Sequence, residues 1–242
     1  MSIPCFYCPD LNMKMIINED SVISLSEIES SHAVRSRRLR EGDPVHLLNG
    51  RGVIGKGQIK HVDKKNVRVK LGSFEQFSSL PQNLVIATAI PKGDRQKVMI
   101  DMLTQLGVQE IFPLACEHSV TRYSENLGDK WRRAAIEACK QSHNPWVPII
   151  HQGHTIEQLN ERGGYCMAFA DSTGVRMPII ADKAQSDGKP LLVLIGPEGG
   201  FSKSEVNYFA ERKIESVSLG NYILRTEAAT IAAMAQFTHH MV

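Results

Sequence analysis

The chain has 242 residues, 42% hydrophobic and 22% charged, which suits one large globular domain or two modest ones. No apolar run approaches the roughly 18–20 residues of a membrane helix, and the first eight residues carry no basic region ahead of an apolar core, so the expectation is a cytoplasmic protein with no membrane partner. Five scattered cysteines argue against a disulfide framework, and neither Cys5-x-x-Cys8 nor His239-His240 has the further ligands a metal site requires, so no metal is expected.

Net charge is only +2, but it is unevenly spread: residues 35–72 hold 11 Lys and Arg against 3 Asp and Glu. A basic front segment on a near-neutral remainder suggests a polyanion-binding module. Ser31 to Arg40 reads as a short helix that ends in the turn Glu41-Gly-Asp-Pro44. From Pro44 to Leu71 the pattern is short β: Val45–Leu48, the hairpin cue Asn49-Gly50, Val53-Ile54, then alternation over Gln58–Val62 and Val67–Leu71. Short strands with glycine-rich turns predict a small β-barrel, with Arg68 and Lys70 on its outer face. The domain boundary is placed after residue 73, in a stretch containing the turn Ser78-Ser-Leu-Pro81, which gives domains 1–73 and 74–242.

Beyond it strands alternate with helices. Leu84–Ile90 reads as a strand, Pro91-Lys-Gly-Asp-Arg95 as a turn, and Val98, Met99, Met102, Leu103 and Leu106 as a helical stripe ending at Gly107. Glu110–Leu114 and Val147–Ile150 are strands around a helix over Asp129–Ser142 whose apolar side is Trp131, Ala134, Ala135 and Ala138. Thr155-x-x-Gln158 opens another helix, Tyr165–Ala170 is a strand, and Asp171-Ser-Thr-Gly174 reads as its turn. Then comes the stretch that organises the chain: the apolar strand Leu191–Ile195, the turn Gly196-Pro-Glu-Gly-Gly200, and a capping box Ser202-x-x-Glu205. A second strand-turn-helix unit follows from Val217 to Thr230, with an alanine-rich last helix from Thr226. Six strands alternating with helices predict a mainly parallel α/β sheet covered on both faces. Ligands of such sheets sit beyond the carboxyl ends of strands, where both turns fall. The first turn has neither Rossmann nor Walker A spacing, so generic nucleotide motifs fail there.

Laid out in this way, the chain resembles the RsmE family of SPOUT-superfamily methyltransferases. The residues that carry the resemblance in the first domain are His32-Ala-Val-Arg-Ser-Arg-Arg-Leu39, Gly42-Asp43 and Val45–Gly50. In the second they are Lys92-Gly-Asp-Arg95, Gln105-Leu-Gly-Val108, Lys130-Trp131, Gln141-Ser142, Ile195–Gly200 and Leu219-Gly-x-x-Ile-Leu-Arg-Thr-Glu227. The last two motifs, in that order, are the most specific. The resemblance implies a PUA-like β-barrel ahead of a SPOUT α/β domain with a trefoil knot, a homodimer, and transfer of a methyl group to N3 of a uridine in the decoding region of 16S rRNA of the small ribosomal subunit. It further implies S-adenosyl-L-methionine held by Leu194, Ile195, Gly196, Pro197, Glu198, Gly199 and Gly200 in one turn, and by Leu219, Gly220, Ile223, Leu224, Arg225 and Thr226 in the other. Gln105, Lys140, Asn144 and Ala228 depart from the family pattern, which bears on subunit or substrate contacts and leaves the cofactor turns intact.

On that reading the uridine nitrogen must lose a proton, and a cation beside the forming anion favours its loss. Arg225 is the candidate, against the alternative that it braces the turns by pairing with Glu227 or Glu198. Glu198 either takes the proton or holds its turn. Arg35, Arg37, Arg38 and Arg40 are expected on RNA phosphates, with Lys92 and Arg95 near the target base. The rival reading is a non-catalytic RNA-binding or assembly protein of the same fold, which would not need a pocket for the methyl donor.

Overall fold

The computed structural model describes residues 3–13, 21–63, 65–78 and 84–241. The chain divides into two compact units, one of Met1–Ser79 with Ile136–Val147, the other of Leu80–Ala135 with Pro148–Val242. The Ser79-Leu-Pro81 part of the expected boundary turn lies outside the described residues.

The first unit holds β1 (Cys5–Tyr7), β2 (Val22–Ser24), β3 (Pro44–Leu48), β4 (Val53–Val62) and β5 (Val67–Gln76) in the order β1-β3-β4-β5-β2, with β1 and β3 parallel and the other pairs antiparallel. All five strands feed one core: Phe6, Ile23, Leu47, Ile59 and Val69 are members, so the sheet curls round it. Strict alternation drives this on β5, where Val67, Val69 and Leu71 are buried while Arg68 and Lys70 face solvent. The Asn49-Gly50 hairpin forms as expected. Buried Asn49 accepts from the Arg51 and Val53 amides at 2.7 and 3.1 Å and donates to the Leu11 carbonyl at 3.0 Å. Sequence reading missed β1 and β2, which are three residues each, too short to show periodicity. The expected helix at Ser31–Arg40 starts earlier: α1 (Glu27–Ser31), capped by Ser26, runs into a π-helical turn (His32–Ser36) that leaves Arg37 to Arg40 outside it.

In the second unit β6 (Leu84–Thr88), β7 (Glu110–Pro113), β8 (Ile149–Ile150), β9 (Cys166–Arg176), β10 (Leu191–Ile195) and β11 (Glu215–Ser218) form a parallel sheet in the order β11-β9-β10-β6-β7-β8. Every residue of β6 and β10 is buried, as their apolar runs (with Thr88 the one polar member) require in the middle of a two-sided sheet. The helices are α2 (Arg95–Gln105), α3 (Glu125–Ser142, whose last turns group with the first unit), α4 (Ile156–Arg162), α5 (Met177–Ser186), α6 (Lys203–Glu211) and α7 (Thr226–Met241). Both expected capping boxes form, at Thr155 and at Ser202.

Three expectations are corrected. On α2 the buried face is Met99, Ile100, Leu103 and Thr104, while Val98 and Met102 are 54% and 37% exposed. Asp171–Gly174 is no turn: β9 continues to Arg176, because Gly174 lets it pass β11 so closely that a Cβ there would lie 2.5 Å from the backbone of Ser216 and Val217. And α5 was overlooked, although Met177, Ile180, Ala181 and Ala184 have the i, i+3, i+4, i+7 spacing of a buried face. The Cys5 and Cys8 thiols are core side chains of the first unit, and burial pushes the Cys5 thiol up to about 12.

Candidate active site

The ends of β10 and β11 and the middle of β9, all in the second unit, enclose a cavity of about 440 Å³. Residues 169–172 of β9 form one wall, the turn after β10 (Ile195 to Phe201) a second, and the loop after β11 with the start of α7 a third. This is the position where an open parallel sheet binds ligands, and the volume falls in the usual range of about 300–1,000 Å³ for small-molecule sites.

The glycines serve close approach. Gly200 has φ +72°, and a Cβ at Gly200 or Gly220 would meet no atom within 4 Å, so the backbone there is open to a ligand. At Gly196 a Cβ would come 3.2 Å from the Phe201 ring, which packs edge-on against Phe169 and Phe209 beneath the turn. Two separate contacts hold the walls together. The Thr226 hydroxyl donates to the Gly196 carbonyl at 3.2 Å, fixing the third wall to the second. Behind it, Thr230 donates to the Thr226 carbonyl at 2.7 Å and lies 3.1 Å from the Thr88 hydroxyl of β6. On the outer side His118 Nδ1 is 3.2 Å from the Gly200 carbonyl oxygen, and Glu117 accepts from the Ser204 hydroxyl at 2.9 Å.

The wall chemistry is mixed. Ile195, Leu219, Ile223, Leu224 and Ala229 are apolar, and Asp171 is an anionic group among them. Its carboxyl lies below the usual range because it accepts from the Thr173 hydroxyl and amide, at 2.6 and 2.8 Å. An apolar slot with open backbone amides and a fixed carboxylate suits a flat heteroaromatic ligand that also carries positive charge.

Of the sequence-predicted cofactor residues, Ile195, Gly196, Pro197, Glu198, Gly199, Gly200, Leu219, Gly220, Ile223, Leu224 and Thr226 line this cavity. Leu194 is buried inside β10, and Arg225 is exposed beside the cavity without lining it. Arg95 is the cation at the acidic residues: its guanidinium lies 3.7 Å from Glu198 and 3.8 Å from Glu227. Among the described residues no ion pair engages Arg225, and one carboxylate oxygen of Glu227 is buried without a hydrogen-bond partner. Lys92 is exposed on the turn before α2. Arg35, Arg37, Arg38 and Arg40 are all exposed in the first unit, with Arg38 at φ +54° and the Arg40 amide donating to Asp43 at 2.7 Å. Sequence reading missed Phe169, Ala170, Asp171 and Ser172 as wall residues, since they lie within β9 and no glycine-bearing turn marks them. It also missed Tyr222 and Ala229.

Comparison with known proteins shows the family and the fold. The profile of an RNA methyltransferase domain matches residues 78–238, and that of an RNA methyltransferase PUA domain matches residues 25–72. A ribosomal RNA small subunit methyltransferase E from Rickettsia conorii is 32% identical over 221 residues, 90% of each chain. The crystal structure of a probable rRNA-methyltransferase from Porphyromonas gingivalis is 30% identical with a TM-score of 0.78, covering 96% of both chains. A ribosomal RNA small subunit methyltransferase E from Neisseria gonorrhoeae, solved bound to S-adenosyl methionine, shares the fold at a TM-score of 0.85 and 21% identity, over 97% of this chain and 96% of that one. The chain belongs to the RNA methyltransferase family, with a PUA domain preceding the methyltransferase domain.

Proposed function

We propose that this protein is an S-adenosyl-L-methionine-dependent methyltransferase acting on N3 of a uridine in the decoding region of 16S rRNA in the small ribosomal subunit, in the cytoplasm. The observation that carries the reading is the cavity beside β9 at the ends of β10 and β11, whose two glycine-bearing turns are joined by the Thr226 hydroxyl. The relatives named as small-subunit methyltransferases, and the one solved with S-adenosyl methionine, support it. Residues 1–73 are read as the RNA-binding module and 74–242 as the catalytic domain, threaded as a trefoil knot.

Bound S-adenosylmethionine supplies a methyl group already activated on a sulfonium. The chain then has to align and to manage one proton. Open backbone at Gly200 and Gly220, with Ile195 and Leu219, fits the adenosine, and the Asp171 carboxylate fits a cationic part of the ligand. Arg225, exposed and free of Glu198 and Glu227, is positioned to favour the uridine anion by its charge; Arg95 takes the bracing role beside those carboxylates. Glu198, shared with Arg95, holds its turn. Arg35, Arg37, Arg38 and Arg40 meet RNA phosphates, and Lys92 holds the backbone near the target base. The working form is read as a homodimer: Tyr222 and Ile223, at 84% and 96% exposed, stand at the cavity rim as apolar surface for a second copy to cover.

The test is calorimetry with S-adenosylmethionine, followed by mass spectrometry of small-subunit RNA incubated with protein and donor. One donor per chain and a new N3-methyluridine are expected. Absence of donor binding by folded protein sinks the reading; binding without RNA methylation moves it to a different acceptor.

A further inference from the structure

One buried ionic cluster in the first unit is not used by the chemistry above. Lys140 has a side chain only 5% exposed. Its ammonium donates to Glu29 at 2.9 Å and to Glu137 at 2.7 Å, and lies 3.5 Å from Nδ1 of His32. Three acceptors meet three ammonium protons if that ring nitrogen is the unprotonated one. The second oxygen of Glu29 is buried without a partner, so the carboxylate depends on this one cation. Burial raises the Glu29 carboxyl above its usual range even with the ammonium beside it.

What the cluster grips is the root of the arginine segment. Glu29 lies in α1, His32 opens the π-helical turn, and Arg35, Arg37, Arg38 and Arg40 follow within eight residues, all exposed. Single π-helical turns are rare and concentrate at functional sites. This one closes with the Arg37 amide on the His32 carbonyl at 3.1 Å and the Leu39 amide on the Ala33 carbonyl at 3.1 Å, leaving Arg38 in the left-handed region. A non-glycine residue persists there only when its surroundings over-determine it. Buried Ala33 and the Ser30 hydroxyl, which accepts from the Val67 amide at 3.0 Å, hold one side of the segment; Lys140 holds the other.

We propose that Lys140 is a positioning residue for RNA capture: its ammonium, locked between Glu29, Glu137 and His32, fixes the π-helical turn so that the four arginines reach RNA phosphates in one preset geometry. This rests on the reading that those arginines face RNA. A preset cationic surface spends less entropy on binding, so the effect falls on KM for RNA and leaves the chemical step alone.

The experiment compares Lys140→Met with the pair Arg37→Gln/Arg38→Gln, in RNA methylation and in amide exchange of the full chain. For Lys140→Met the expectation is a KM for RNA raised about tenfold, with kcat at saturating RNA and the affinity for S-adenosylmethionine unchanged. Exchange at the Arg37 and Leu39 amides should accelerate, and the charge-reversed pair Glu29→Lys/Lys140→Glu should recover much of the loss. A folded Lys140→Met with native KM overturns the proposal, as does a loss confined to kcat. Should that variant not fold, Glu29→Gln, which leaves the ammonium its other partners, is read by the same criteria. If the arginine pair raises KM while neither Lys140→Met nor Glu29→Gln does, the arginine face stands and the positioning role falls. If the arginine pair itself leaves RNA affinity unchanged, the face is wrongly placed, and the proposal falls with it.

Discussion

Arg225 and Arg95 show how two cations of one site separate by their surroundings. Arg95 lies between two carboxylates, so its charge is largely spent on them. Among the described residues no ion pair engages Arg225, which on the proposed reading leaves its field for a bound anion. Arg225→Ala should therefore preserve the fold and most of the donor affinity while lowering the single-turnover rate about 10²-fold or more; an unchanged rate removes it from the mechanism. Thr226 is a different case, since it is buried and its hydroxyl serves a carbonyl of the opposite wall. Thr226→Val leaves that carbonyl unpaired, costing about 1–3 kcal/mol of stability, with a lower donor affinity measurable by calorimetry. Glu110 supplies a pH test. Its carboxyl titrates below the usual range because it meets Nε2 of His151 at 2.6 Å. With the native value depressed, the contribution is present above the unfolded value near 4.5 and disappears as pH falls through the native one. Urea midpoints should show Glu110→Gln less stable than the parent at neutral pH, with the gap closing in acid; a gap constant with pH refutes the pairing.

At the scale of elements, legibility followed the length and regularity of each signal. β6 and β10 were plain because central parallel strands are runs of apolar residues, broken in β6 only by Thr88, and α4 and α6 because capping boxes mark their first turns. The turn after β10 was legible because its glycines stand out in sequence, and Gly200 takes a left-handed backbone angle that favours glycine. Three features were not legible. β1 and β2 are shorter than one clear alternation. The α2 face turned by one position because Ile100 and Thr104 are buried where the stripe favoured Val98 and Met102. The third is Gly174, which in sequence looks like turn punctuation and in the fold is a close crossing of β9 with β11. Gly174→Ala puts a methyl carbon 2.5 Å from backbone of Ser216 and Val217, which cannot rotate away. It should cost about 1–3 kcal/mol or more, read as a lower urea midpoint, and because Asp171 and Ser172 lie on the same strand the donor should bind more weakly too. Native stability in that variant would mean the two strands part easily.

At the scale of the whole molecule, the charge division read from sequence corresponds to structure in one respect: exposed Arg68, Lys70 and the four arginines belong to the first unit, while the cavity lies wholly in the second. The homodimer reading makes a direct prediction. Sedimentation should give twice the chain mass, and Ile223→Lys, at 96% exposure, should shift it toward the single-chain value without unfolding. A single-chain mass for the parent protein rejects the assembly. The cavity also has a consequence for the order of events in synthesis. Its walls come from residues 169–172, 195–201, Val206 and residues 219–229, so no single stretch suffices and the last contributor is Ala229 of α7. A nascent polypeptide therefore lacks the third wall until residue 229 has been made, and on the proposed reading shorter products cannot hold the donor.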